Sequence, residues 1–229
     1  MPLFSPEWFS ALAAIVLIDL ILAGDNAIVI ALAARSLPTH LQRKAIVWGT
    51  VGAIGIRALM TMVVVWLLKV PGLMLVGGLG LVWIAYKLLV PGDGGEGHEG
   101  GSATTLWGAL KTIIVADALM GVDNVLGVAG AAHGAFDLVV IGLLISVPIV
   151  VWGSSIVLKL VDRFPSITYL GAGVLAWTAA KMMVGEPVLD PVLDPRPWAG
   201  WLVQAVVVAG VLAAGWWMGR QRARSAHAA

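Results

Sequence analysis

A short polar pattern occurs twice in this chain, as Asp19-Leu-Ile-Leu-Ala-Gly-Asp25-Asn26 and as Asp117-Ala-Leu-Met-Gly-Val-Asp123-Asn124. In each copy an Asp precedes an Asp-Asn pair by six residues, and the flanking residues are almost all apolar. The three polar positions of the first copy recur 98 residues later in the second. This repetition indicates two related units in one chain, with the same polar side chains kept in both.

The composition is that of a membrane protein. Hydrophobic residues make up 60% of the 229 residues and charged residues 12%, against roughly 25% charged in an average soluble domain. The mean hydropathy is +0.96. A net charge of +1 implies no nucleic-acid partner, and the absence of cysteine excludes disulfides, thiolate metal sites and thiol catalysis. We therefore expect an all-α, polytopic bundle forming a single transmembrane domain over 1–229.

Seven apolar runs are candidates for membrane-spanning helices, which need about 20 mostly apolar residues. They lie at about 8–34, 43–68, 73–90, 105–132, 136–160, 166–184 and 198–219. The first three form one unit (8–90) and the next three a second unit (105–184). A glycine-rich linker at 91–104 joins the units, and a proline-rich segment at 185–197, predicted to be exposed, precedes the seventh run.

The basic residues predict the orientation. If the N-terminus lies outside, ten of the 14 Lys and Arg residues fall in or beside cytoplasmic segments and three fall outside, with Arg57 inside the membrane. This distribution favours an outer N-terminus and a cytoplasmic C-terminus. Because each unit has three helices, the second unit then crosses in the opposite sense. We expect inverted repeats, as in many secondary transporters whose substrate site lies near the bilayer midplane.

The duplicated pattern predicts a metal site. A charged Asp at a helix centre opposes insertion by about 2.5–3.5 kcal/mol, so four of them call for a compensating role. Their carboxylates and the two amide carbonyls are hard oxygen donors, which suit Mg²⁺, Ca²⁺ or Mn²⁺. The predicted ligands are Asp19, Asp25, Asn26, Asp117, Asp123 and Asn124. Whether Asp19 and Asp117 bind metal or protons is left open.

The spacing within each copy predicts an irregular helix. Asp19 and Asn26 share a helix face, whereas Asp25 lies about 120° away, which is awkward for one compact site. Gly24 before Asp25, and Gly121 before the second Asp-Asn pair, favour local unwinding. Since some carboxylates should take up protons when the metal leaves, we expect proton-coupled antiport.

The polar residues of these helices are open to further interpretations. Arg57 could pair with a site Asp, balance charge in the absence of metal, or extend toward the membrane surface. The Asp and Asn side chains could form a purely structural hydrogen-bond network between the first and fourth helices. A duplicated pattern with two Asp residues in each copy favours an ion pathway over that network.

At Ala23-Gly24-Asp25-Asn26 and Gly121-Val122-Asp123-Asn124, each with its earlier Asp, the sequence resembles the TerC family of integral membrane proteins, in particular its short YjbE-type branch. The resemblance covers roughly 8–184. It implies a multi-helix bundle related to LysE-type transporters, with members that export Mn²⁺. It also implies that the six Asp and Asn residues named above form the metal site.

The sequence therefore predicts a multi-pass protein of the cell inner (cytoplasmic) membrane that exports a divalent cation, with manganese favoured. We expect no enzyme activity and no prosthetic group, with the metal ion as substrate. One alternative is a non-transporting membrane protein that delivers metal or stabilises a complex. Another is an intramembrane aspartyl protease, which the absence of a Gly-x-Gly-Asp motif disfavours. Association into a homo-oligomer is left open.

Overall fold

The structure, a computed structural model, describes residues 4–67, 70–90, 105–132, 135–193, 195 and 197–226. Within those residues it contains eight α-helices, one short 3-10 helix at Pro187–Leu189 and no strand. The helices are α1 (Pro6–Ala34), α2 (Thr39–Leu67), α3 (Leu73–Leu89), α4 (Leu106–Ala132), α5 (Phe136–Arg163), α6 (Ile167–Val184), α7 (Asp190–Leu193) and α8 (Pro197–Ala226). The all-α prediction is confirmed. The predicted linker at 91–104 lies outside the described residues.

Each of the seven predicted runs coincides with one long helix, and α8 is the seventh. Among the described residues four helices are long and apolar enough to span a membrane, namely Thr39–Val63, Asp137–Arg163, Ile167–Val184 and Trp198–Gln221. The two halves of α1, Pro6–Ile21 and Gly24–Ala34, make a fifth span if they are counted together. That all seven helices cross the membrane stays a prediction, since neither α4 nor α3, which has only 17 residues, is among these spans.

Local sequence signals set several helix ends. Pro6 starts α1, where its missing N–H costs nothing, and the Ser5 hydroxyl accepts a hydrogen bond from the Trp8 N–H at 3.1 Å. Gly72 precedes α3 with a φ of 80°, a left-handed conformation that glycine adopts without strain. At the other end of the chain, α8 runs past its predicted end at 219 to Ala226, because Arg, Gln and Ala favour helix.

The helices of the two three-helix units pack in exchangeable pairs. The most extensive packing joins α1 to α5, α2 to α4 and α3 to α6, and α8 lies against α6 and α3. Because α1 corresponds to α4 and α5 corresponds to α2, the α1–α5 and α4–α2 pairs are equivalent contacts between the two units. Ile15 and Ile113, which correspond in the two copies of the polar pattern, each pack on a glycine of the other unit, Gly142 and Gly49 respectively. The two units therefore make equivalent contacts.

Gly78 lets α3 and α6 approach closely. A Cβ atom at this position would lie 2.5 Å from Met183 Cγ and 2.7 Å from the carbonyl oxygen of Ala179. Because the carbonyl belongs to the α6 backbone, it cannot move aside as a side chain can. By contrast, a Cβ atom at Gly55 on α2 would have no neighbour within 4 Å.

We expect Gly78→Ala to destabilise the protein by about 1–3 kcal/mol, the usual cost of overpacking a close helix contact. The matched variant Gly55→Ala should be neutral or stabilising by up to about 1 kcal/mol, because it adds helix propensity without a clash. Thermal unfolding of both variants in detergent measures the difference. Equal melting temperatures for the two variants would contradict the close approach of α3 and α6.

Glu186 joins the end of α6 to the start of α3. Its carboxylate accepts hydrogen bonds from the Gly72 N–H at 2.9 Å and from the Met74 N–H at 3.0 Å. The side chain is only 2% exposed, although it belongs to the segment predicted to be exposed. The other described side chains of that segment are mostly exposed, and the segment contains the 3-10 helix and α7. This contact was not predictable from the sequence, since Glu186 and Gly72 are 114 residues apart.

Hydrogen bonds from the Gly72 backbone, above all, lower the pKa of Glu186 from its ordinary value of 4.5. A lowered folded-state pKa means that the contribution to stability is present above about pH 4.5 and is lost as the pH falls below it. We therefore expect Glu186→Gln to lower the melting temperature by a few degrees at pH 7, and the difference from wild type to shrink only as the pH falls below about 4.5. The exposed Asp190, changed to Asn, is the control. A difference that does not vary with pH would contradict the carboxylate cap.

Candidate functional site

Arg57 lies between two carboxylates in the interior of the bundle. Its Nη1 donates to Asp19 Oδ1 of α1 at 2.5 Å, and its Nη2 donates to Asp117 Oδ1 of α4. All three side chains are buried, with Arg57 4%, Asp19 1% and Asp117 7% exposed. Such pairs are stable inside a protein only when the charges are matched and hydrogen-bonded. The interaction therefore fixes α2 against both α1 and α4.

Asp19 and Asp117 occupy equivalent positions in the two units, whereas Arg57 has no basic counterpart in the second unit. Asp19 and Asp117 are the first residues of the two copies of the polar pattern. Gly49 and Gly142 make equivalent contacts in the two units, and Arg57 lies as far after Gly49 in the sequence as Val150 lies after Gly142. Arg57 therefore corresponds to Val150. Thr61 and Ser154 then also correspond, and their hydroxyls donate to the carbonyl oxygens of Arg57 and Val150 respectively. One unit alone supplies the positive charge that both units use.

A small cavity adjoins this ion pair. It has a volume of about 10 Å³ and is lined by Asn26 and Asp117 together with Val29, Ile30, Ile113 and Met120. Asn26 Oδ1 and Asp117 Oδ2 are buried and have no hydrogen-bond partner among the described residues. Buried acceptors without a partner are costly, and ions or water usually satisfy them. Two free oxygen acceptors thus adjoin a space of roughly one water molecule.

Asp25 marks the bend in α1. The helix is bent by 48° between Pro6–Ile21 and Gly24–Ala34, where glycine favoured an irregularity. Asp25 Oδ1 accepts a hydrogen bond from the N–H of the next residue, Asn26, at 2.9 Å. This contact resembles a cap at the start of the second half of the helix. Asp25 is half-buried and interacts electrostatically with Arg57 and Asp117.

The second copy of the pattern is described in part. Asn124 is 8% exposed, and its Nδ2 has no hydrogen-bond partner within the described part of the chain. The side chain of Asp123 lies outside the described residues. Among the side chains that are described, no three carboxylates lie close enough to hold one ion together. Convergence of all six predicted ligands on one metal therefore stays a prediction.

Of the three roles considered for Arg57, the structure shows pairing with a site Asp, and Arg57 pairs with two. Charge balance in the absence of metal stays a prediction. Extension toward the membrane surface is wrong, because only 4% of the residue is exposed. Sequence reasoning missed Arg35, which donates to the Thr168 hydroxyl at 2.5 Å and the Leu88 carbonyl at 3.0 Å and so joins α1 to α6 and α3.

The charges predict a non-additive response to substitution. One guanidinium and two carboxylates carry a net charge of −1, so either Asp19→Asn or Asp117→Asn leaves a neutral ion pair. The double variant leaves Arg57 buried without a counter-ion. We expect the second substitution, in either order, to cost about 3–5 kcal/mol, the range for an unpaired buried charge. Unfolding in detergent measures this cost, with the exposed Asp137 changed to Asn as control. Additive effects would contradict the shared ion pair.

Comparison with known proteins identifies the family. Residues 4–223 match the model of the integral membrane protein TerC family. The chain is 40% identical over 208 residues to the uncharacterized membrane protein YjbE of Bacillus subtilis, covering 91% of this chain and 94% of that protein. It is 25% identical over 188 residues to the inner membrane protein YgdQ of Escherichia coli, covering 74% and 78% respectively. No solved structure matches.

The family match covers nearly the whole chain, including both copies of the Asp pattern and the helix that carries Arg57. They agree with an integral membrane protein containing several apolar helices. The chain belongs to the TerC family of integral membrane proteins.

Proposed function

We propose that this protein is a secondary transporter of the cytoplasmic membrane that exports a divalent metal cation, with manganese as the favoured ion. The observation that carries the proposal is the pair of buried acceptors, Asn26 Oδ1 and Asp117 Oδ2, beside a cavity between helices of the two units. Intramembrane carboxylates commonly mark ion pathways. Hard oxygen donors suit a hard divalent cation.

The size of the cavity favours an ion that gives up its water. A space of about 10 Å³ holds roughly one water molecule and has no room for a hydration shell. Mg²⁺ loses its water reluctantly, and Ca²⁺ takes six to eight ligands at 2.3–2.6 Å. Mn²⁺ also accepts carboxylate and carbonyl oxygens, and we favour it because the resemblance to the TerC family implies members that export Mn²⁺.

The packing of the two units supports alternating access. The α1–α5 and α4–α2 pairs are exchangeable, as expected of units related by a pseudo-two-fold axis. With the ten-to-three distribution of basic residues, we propose inverted repeats, an outer N-terminus and a cytoplasmic C-terminus. A relation to LysE-type transporters and proton antiport belong to the same proposal.

The ion pair counts against the protease alternative. In aspartyl proteases two adjacent carboxyl groups share one proton. Here the guanidinium of Arg57 donates to Asp19 and to Asp117, so each carboxylate already binds a cation. The arrangement suits charge balance at an ion site better than activation of a water molecule between two Asp residues.

Manganese content of a metal-stressed host tests the proposal. We expect wild-type protein to lower intracellular manganese, and Asp25→Asn or Asp123→Asn to reduce the effect roughly tenfold or more, because each removes a charged ligand. Asp137→Asn, at an exposed position at the start of α5, should behave as wild type.

Vesicles that contain only the purified protein separate transport from metal delivery to a partner. Manganese should enter or leave them, and an imposed pH gradient should change the rate. Lack of movement with folded wild-type protein would reject autonomous transport and favour the non-transporting alternative. Flux indifferent to the gradient would reject proton coupling alone.

A further inference from the structure

Arg57 binds one oxygen of the Asp117 carboxylate, and Asp117 also lines the cavity. Its Nη2 donates to Asp117 Oδ1, while Asp117 Oδ2 is buried without a hydrogen-bond partner among the described residues. A divalent cation bound to Asp117 Oδ2 and Asn26 Oδ1 would therefore share the Asp117 carboxylate with the guanidinium. Two positive charges so close repel strongly where water is excluded. The cation and Arg57 compete for the same carboxylate.

Among the described residues, the ion pairs of Arg57 are those with Asp19 and Asp117, and its Nε is buried without a hydrogen-bond partner there. The second unit has Val150 at the corresponding position, so no further basic residue of this kind is supplied. When a substrate cation leaves, the guanidinium of Arg57 is the positive charge available to pair with both Asp19 and Asp117 among the described residues.

We infer that Arg57 acts as a tethered substitute for the transported cation, and that its return to Asp19 and Asp117 allows the substrate-free protein to change conformation. The inference rests on the proposed function. Two buried carboxylates without a counter-ion resist any rearrangement that keeps them away from water. A bound substrate cation neutralises the carboxylates during the export step. Arg57 neutralises them while the substrate-free protein returns to its starting conformation.

Net flux and exchange separate this role from simple metal binding. Net flux requires the substrate-free protein to return, whereas exchange of labelled for unlabelled manganese does not. Purified wild-type protein in vesicles should therefore show both net flux and exchange. In Arg57→Gln, we expect net flux to fall at least about tenfold, because a buried charge has lost its partner, while exchange persists. Arg57→Lys keeps the charge and should recover part of the net flux.

The control is Arg220→Gln, which removes the same charge from an exposed residue of α8 that contacts the Trp216 ring. It should preserve both activities. Thermal unfolding gives a readout independent of transport. Without its competitor the site should bind manganese more tightly, so the metal should raise the melting temperature more in Arg57→Gln than in wild type. If Arg57→Gln does not fold, the same comparison with Arg57→Lys should show reduced net flux and retained exchange.

Two results would overturn the inference while leaving metal transport intact. Unchanged net flux in folded Arg57→Gln would show that the return step does not need this cation. A parallel fall of net flux and exchange, with no larger thermal shift by manganese, would assign Arg57 to metal binding or structure. A wild-type protein that shows neither flux would instead reject the proposed function itself.

Discussion

A guanidinium held between two carboxylates in the bundle interior determines how three helices meet. Burying these charges is costly, and the arrangement persists only because Asp19 of α1 and Asp117 of α4 both reach Arg57 of α2. Close packing makes that possible. Gly49 and Gly52 allow α2 to accept Ile113 and Ile114 of α4 directly against its backbone. The apolar contacts position the helices, and the ion pair then fixes their register.

The apolar runs predicted seven helices well because burial in a bilayer demands long uninterrupted apolar segments. The positions of the polar residues within α1 and α4 were predictable for the same reason. Their partners were not, since the sequence does not specify which Asp faces Arg57 across a helix boundary. Glu186 shows the limit most clearly. It lies among prolines and acidic residues that indicate exposure to solvent, yet its carboxylate accepts a hydrogen bond from a backbone N–H 114 residues away.

The bend in α1 connects local sequence to the site. A continuous helix places Asp25 on a different face from Asp19 and Asn26. At the bend, Asp25 binds the N–H of Asn26 and is close enough to Arg57 and Asp117 to interact with their charges. Gly24 begins the second half of the bent helix, and Asp25 follows it directly. The bend and the ion pair together bring residues of both units into one electrostatic environment.

The presence of Val150 where the first unit has Arg57 has a consequence for energetics. In the proposed inverted-repeat transporter, two identical halves would give two end states of equal free energy, with neither side of the membrane preferred at rest. An arginine contributed by one half alone would make those two end states unequal. Under that proposal the resting protein favours one face, and the chain itself sets this preference before any gradient is applied.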